Sequence, residues 1–186
     1  MNVYENCPTY ENDEFIIRLT IERDIADLLK VYSDEKALPL FNSDNCHGDD
    51  FHYTTLERMR QAFEFWEEAY RNGWFVRWSV VDKSTNEAVG TIEEFHRDAG
   101  DHFDHCGLLR LDLRSDYEVA DKIASILSLI VPPSFDLFGC KMVATKAPAA
   151  ATERIKALTS LGFTPSDKPL VGHDGTKYYA YYELNK

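Results

Sequence analysis

The 186-residue chain has few of the features that hold small secreted or membrane proteins together. Its four cysteines, Cys7, Cys46, Cys106 and Cys140, are scattered, with no pair at zinc-ligand spacing. Neither a disulfide framework nor a cysteine-held metal is therefore expected, and the chain reads as reduced and cytosolic. No apolar run is long: "SILSLIV" falls far short of the roughly 20 residues that a bilayer span needs. The first residues, "MNVYENCPTYENDEF", are polar and acidic, unlike the basic-then-apolar order of a signal peptide. Positive charge is scarce too: 20 Lys and Arg stand against 32 Asp and Glu, a net charge of −12. That excludes the basic footprint of general binding to nucleic acid or to an anionic membrane. It suits a cationic small molecule or a basic peptide, or it serves solubility alone.

What is present is material for a core. Hydrophobic residues make up 44% and aromatics 13%, enough for one domain of ordinary size. No repeat or linker divides it. "EFIIRLTI" (14–21) reads as a strand after a 1–13 extension, and 22–32 as a helix with Ile21, Ile25, Leu28, Leu29 and Tyr32 on one face. The acidic stretch 33–53 has the length and composition of a binding loop. Its Asp34, Glu35, Asp44, Asp49 and Asp50 would attract a cation or remain simply solvated. Thr54 and Glu57 form a capping box for a helix striped by Leu56, Met59, Phe63, Trp66 and Tyr70 and closed at Gly73.

"WFVRWSVVD" (74–82) and "EAVGTIEEFHR" (87–97) read as a hairpin. The loop after it carries His102, Asp104, His105 and Cys106, and with no second ligand group it is expected to be a hairpin loop, with no metal bound. "LRLDLRSDYEVADKI" (109–123) follows: a strand, a turn, and a helix capped by Ser115 and Glu118. Pro132-Pro133 should break or kink that helix. "CKMVATKA" (140–147) is a further strand, and a helix ending at Gly162 follows it. "TKYYAYYELN" (176–185) is the last strand, its aromatics facing inward or a second subunit, so that a homodimer is one arrangement it allows. The element order, β-α-α-β-β-β-α-β-α-β, predicts an α/β layer of α+β character around a mixed sheet.

In "IIRLTIERDIADLLKVYSD", "WSVVDKSTNEAVGTIEEF" and "ALTSLGF", taken in order over residues 14–184, the chain resembles the GNAT (Gcn5-related N-acetyltransferase) superfamily. The branch it looks most like acetylates ribosomal-protein N-termini. The resemblance implies a single domain with a mostly antiparallel twisted sheet flanked by helices. It also implies acetyl-CoA as donor and a primary amine, of a small molecule or a peptide, as acceptor. A carboxylate would take the ammonium proton, and Glu93, Glu94 and Asp112 are the candidates. The backbone of Leu111, Asp112 and Leu113 would lie along the pantetheine, and Arg114, Tyr117, Val119, Ala120 and Asp121 around the pyrophosphate.

The sequence departs from the family at the pyrophosphate turn. The glycine positions hold Tyr117 and Val119, or Val119 and Asp121, and the carboxylates of Asp116, Glu118 and Asp121 would repel phosphate. Arg114 and Arg154 could instead contact it by side chain, or be ordinary surface residues. Ala151 and Arg154 stand where the family has Asn and Ser, and Leu158 where it has an acidic tyrosine. Two functions therefore remain in view: acetyl transfer to an amine, or a catalytically silent module binding another ligand or a protein.

Overall fold

The computed structural model describes residues 2–186. In chain order, β1 (Tyr10–Glu11) and β2 (Phe15–Leu19) lead into α1 (Ile25–Tyr32), α2 (Leu56–Arg71), β3 (Val76–Asp82), β4 (Glu87–Arg97) and β5 (Cys106–Leu113). Then follow α3 (Ala120–Leu137), β6 (Met142–Lys146), α4 (Thr152–Ser160), β7 (Thr164–Pro165), β8 (Leu170–Val171), β9 (Lys177–Tyr178) and β10 (Tyr181–Asn185). The main sheet has the order β1-β2-β3-β4-β5-β6-β10-β7 and is antiparallel except between β5 and β6. β8 and β9 pair separately. Residues 2–13 supply β1 and bury Val3 in the main core.

Strand alternation divides the sheet between two layers. Val76, Trp78 and Val80 of β3, with Leu109, Leu111 and Leu113 of β5, pack with Ile123, Ile126 and Ile130 of α3. On the other face α1 and α2 build a second core from Leu28, Tyr32, Met59, Phe63 and Trp66. The residues that β3, β4 and β5 turn toward it are polar: Arg77 and Ser79, Thr91 and Glu93, Arg110 and Asp112.

Four local features differ from the sequence reading. The cap of α2 is Thr55, whose hydroxyl accepts from the Arg58 N–H at 3.2 Å. Substituting Thr55→Ala should therefore cost about 1 kcal/mol in chemical denaturation and Thr54→Ala almost nothing; equal losses would contradict this. Ser115 and Glu118 do not form a capping box: Ser115–Tyr117 is a 3₁₀ turn, Val119 precedes α3, and Glu118 turns away. The helix α3 continues through Pro132 and Pro133. The prolines leave the Ser128 and Leu129 carbonyls without their bonds; Ser128 and Pro132 are exposed and Leu129 and Pro133 half-buried, so water can reach both. The tail is two strands, because Ala180 takes φ +68° between β9 and β10.

Candidate functional site

The register of three strands assembles a buried charge ladder across the sheet. Arg77 lies opposite Glu93 and Glu93 opposite Arg110, while the next row holds Ser79, Thr91 and Asp112. The Glu93 carboxylate accepts from both Arg77 and Arg110. Arg77 Nη1 also donates to Tyr32 Oη at 2.9 Å, Thr91 Oγ1 at 3.0 Å and Asp112 Oδ2 at 3.3 Å. Tyr32 donates to Asp112 at 2.9 Å. Burial would raise the Glu93 pKa, but the two guanidinium groups outweigh it and hold the group below its ordinary value. A carboxylate so stabilised in its charged form has little driving force to take a proton. Burial raises Asp112, with Arg77 and Tyr32 opposing.

Of the other expected proton acceptors, Glu94 lies on the opposite face, fully buried against α3, where Ser134 Oγ donates to it at 2.8 Å. Arg114 does not extend the row of Arg110 and Asp112. It lies beyond the end of β5 and pairs with Asp116 at 2.7 Å.

Pairing between β5 and β6 stops at Leu109 opposite Thr145, and the strands then part. The resemblance would place the pantetheine in that gap. Here Asp44 joins the two strands where they diverge: its carbonyl accepts from Arg110 at 2.9 Å, and its carboxylate holds Lys146 at 2.6 Å. Tyr181 of β10 donates to the same carboxylate at 3.1 Å. Four residues earlier, the Leu40 carbonyl accepts from Arg154 of α4 at 2.9 Å. The segment 40–46 thus lies across the seam.

The turn expected to hold a pyrophosphate is occupied by the chain's own carboxylates. Ser115 N–H donates to Asp34 Oδ2 at 2.8 Å, and Ala120 N–H, at the start of α3, donates to Glu153 Oε2 at 3.1 Å. Glu118 and Arg154 form an ion pair, each side chain less than a tenth exposed. Burial raises the Glu118 pKa while Arg154 opposes it. Tyr117 is buried and donates to Asp82 at 2.7 Å, and Val119 and Asp121 are exposed. A helix N-terminus binds phosphate through free amides and positive potential. With two amides bonded to carboxylates and a third carboxylate buried beside them, these residues do not fit a pyrophosphate. Sequence reasoning foresaw the repulsion at Glu118 but not its partner, because Arg154 lies 36 residues away.

Three acidic residues of the 33–53 loop are also engaged within the chain: Asp34 and Asp44 as above, and Asp49 with Arg58 at 2.8 Å. Beside Asp49 opens the largest cavity described, about 650 Å³. Its walls are aromatic, with Phe51, Tyr53, Phe65, Trp66, Trp74 and Phe75 among them. Its charged lining is three arginines, Arg58, Arg77 and Arg110, against two carboxylates, Asp49 and Glu93, both tied to those arginines. Arg77 stacks on Trp66 at 4.3 Å and Arg58 on Tyr53 at 4.3 Å. The Nε–H groups of Arg77 and Arg110 are buried without an acceptor. Composition, dominated by the net charge of −12, gave no sign of this arginine-lined pocket.

The sheet order, the single parallel pair at a splayed seam and the helices on both faces define the class: this is a GNAT fold. The chain is similar over 96% of both lengths to the ribosomal-protein-S5-alanine acetyltransferase of Vibrio fischeri (TM-score 0.70, 17% identity). A GNAT-family acetyltransferase from Bacillus anthracis matches at TM-score 0.68 and 13% identity, covering 96% of this chain and 98% of that one. Mycobacterium smegmatis RimJ, solved in complex with CoA-disulfide, matches at TM-score 0.70 and 12% identity over 96% of this chain and 87% of its own. No family model matches the sequence, and no curated protein matches it. Identities this low establish a shared fold, while chemistry rests on the site. No helix among the described residues is long and apolar enough to cross a membrane.

Proposed function

We propose that this chain is a ligand-binding domain on the acetyltransferase fold, its donor half closed and its acceptor half kept as a pocket for an aromatic anion. The observation that supports this reading is the buried Glu118–Arg154 pair, which lies at the turn where the resemblance puts a pyrophosphate, with Arg154 also bonded to the Leu40 carbonyl. The pocket supports the ligand class. Its two carboxylates are paired with its arginines, its lining holds one guanidinium more than it has carboxylates, and its walls offer flat π-surfaces. A volume of about 650 Å³ suits a small organic molecule.

Acetyl transfer from acetyl-CoA to an amine is the second reading, favoured by the acetyltransferases that share the fold. It requires segment 40–46 to leave the seam and the Glu118–Arg154 pair to open. Calorimetry of the full chain with acetyl-CoA, and with CoA as control, separates the two. No saturable heat up to submillimolar ligand is expected; saturable binding would overturn closure of the donor half.

The pocket is tested by melting-temperature shifts with indole-3-acetate and phenylacetate against tryptamine and phenethylamine. The acids should raise the melting temperature and the amines should not. Trp74→Ala, at an exposed wall position, should weaken binding of the acids roughly fivefold. Stabilisation by the amines alone would overturn the ligand class.

A further inference from the structure

The hairpin between β4 and β5 brings three Lewis bases together that no single stretch of sequence groups. His96, next to last in β4, lies on the α3 face, Asp98 follows two residues later, and His105 immediately precedes β5. His96 Nε2 is 3.2 Å from His105 Nδ1 and 3.3 Å from Asp98 Oδ1, and His105 Nδ1 is 2.9 Å from the same oxygen. Around a first-row divalent cation with bonds of about 2.1 Å, adjacent donors at 90–110° sit about 3.0–3.4 Å apart. Two of the three separations fall in that range and the third, 2.9 Å, lies just below it, so the atoms form a three-donor cup.

The outer contacts favour the same state. His96 Nδ1 lies 2.6 Å from the Phe138 carbonyl, which can only accept, so this nitrogen carries the proton. In the neutral imidazole, the Nε2 that faces the cup then carries the lone pair. On His105 the nitrogen away from the cup, Nε2, lies 3.5 Å from Asp104 Oδ2. A carbonyl or carboxylate behind each imidazole is the arrangement that orients metal-binding histidines.

The loop is also fixed independently of the cup. Arg97 holds Asp101 at 2.6 Å, Asp104 accepts from the Ala99 N–H at 2.8 Å, and Phe103 is fully buried. These contacts mean that little ordering remains for an ion to impose.

We propose that His96, Asp98 and His105 bind one first-row divalent transition-metal ion, of the zinc or cobalt class. The two imidazoles and one carboxylate are its protein ligands, and the remaining positions are open to water or an incoming ligand. Imidazole nitrogen selects this class over calcium and magnesium, which prefer all-oxygen sets. His102 is not a member, since it pairs with Glu183 at 2.7 Å, and Cys106 is buried in β5. The sequence cluster "HFDHC" therefore contributes one ligand only; the other two come from the opposite arm of the hairpin.

The test is titration of the full, untagged chain with Co²⁺, read by its visible absorption, followed by competition with Zn²⁺ against a chromogenic chelator. One equivalent should bind, and magnesium should not displace it. Both Asp98 and His105 are largely solvent-exposed, so Asp98→Ala and His105→Ala should fold normally; each should lose at least tenfold in affinity. His102→Ala and His173→Ala should bind as the parent does. Binding unchanged in His105→Ala, or no binding by the parent chain at 100-fold excess of metal, would overturn the site.

Discussion

Arg154→Ala is expected to lower the melting temperature by roughly 10 °C, the largest loss for any single change at the seam. Arg154 is 2% exposed, and its guanidinium is bonded to Glu118 and to the Leu40 carbonyl. Removing it leaves a buried carboxyl beside Asp112, which already raises the Glu118 pKa, and leaves the Leu40 carbonyl without a donor. Breaking a buried pair in this way costs about 3–5 kcal/mol, and each kcal/mol is worth about 2–4 °C in a chain of this size. The double change Glu118→Leu with Arg154→Met should recover most of the loss, because it removes both charges and keeps the volume. Scanning calorimetry of the three proteins decides the matter. A single variant that melts within 2 °C of the parent would show that the pair does not secure the seam. Limited proteolysis adds an independent readout, since Arg154→Ala should expose segment 37–46 to cleavage.

Glu94→Gln is expected to act in the opposite direction, and only at higher pH. Burial pushes the Glu94 carboxyl from an ordinary 4.5 up to about 8, with the Ser134 hydroxyl opposing. Its surroundings are tight: a Cβ added at Gly107 would lie 2.9 Å from Glu94 Oε1 and 3.1 Å from Cys140 Sγ. That same Oε1 has no hydrogen-bond partner. The folded chain therefore keeps the proton up to about pH 8, whereas the unfolded chain releases it near pH 4.5. Stability from this group is complete below pH 4.5 and falls as pH rises toward 8. The fall amounts to something on the order of 4 kcal/mol. Glutamine does not ionise, so Glu94→Gln should match the parent near pH 4.5 and exceed it at pH 8. Parallel pH profiles of unfolding free energy in the two proteins would refute this. The same burial answers the expectation that Glu94 serves as a base in the cleft: it lies on the wrong face of the sheet and is neutral at pH 7.

Much of the fold could be read along the chain because it depends on local periodicity. The hairpin at 76–97 needed only alternating apolar residues and the "DKSTNE" turn, where Asn86 takes φ +58°. The stripe of α2 and the stop at Gly73, with φ +71°, follow equally from near neighbours. Pro132-Pro133 misled for a tertiary reason: a local rule forbids what an exposed helix face, open to water, allows. The charge ladder was half legible. Apolar and polar residues alternate along 109–113, which puts Arg110 and Asp112 on one face, but strand register determined that Arg110 would meet Glu93 and Glu93 meet Arg77.

Composition and periodicity by themselves determined a single α/β layer, an acidic surface, and a strand–turn–helix at 109–123 without a glycine. The resemblance to the acetyltransferase family located the departure: carboxylates where it implies a phosphate cradle. Only the tertiary structure decided what those carboxylates do. Glu118 meets Arg154, Asp34 and Glu153 take the turn's amides, and Asp44 locks β5 to β6 through Arg110 and Lys146. The same holds for the arginine-lined, aromatic pocket inside an acidic chain and for the His96–Asp98–His105 cup. The physical reason is common to all of them. Periodicity depends on neighbours three or four residues apart, whereas a buried charge is stable only beside a partner that chain topology, and no local rule, brings to it.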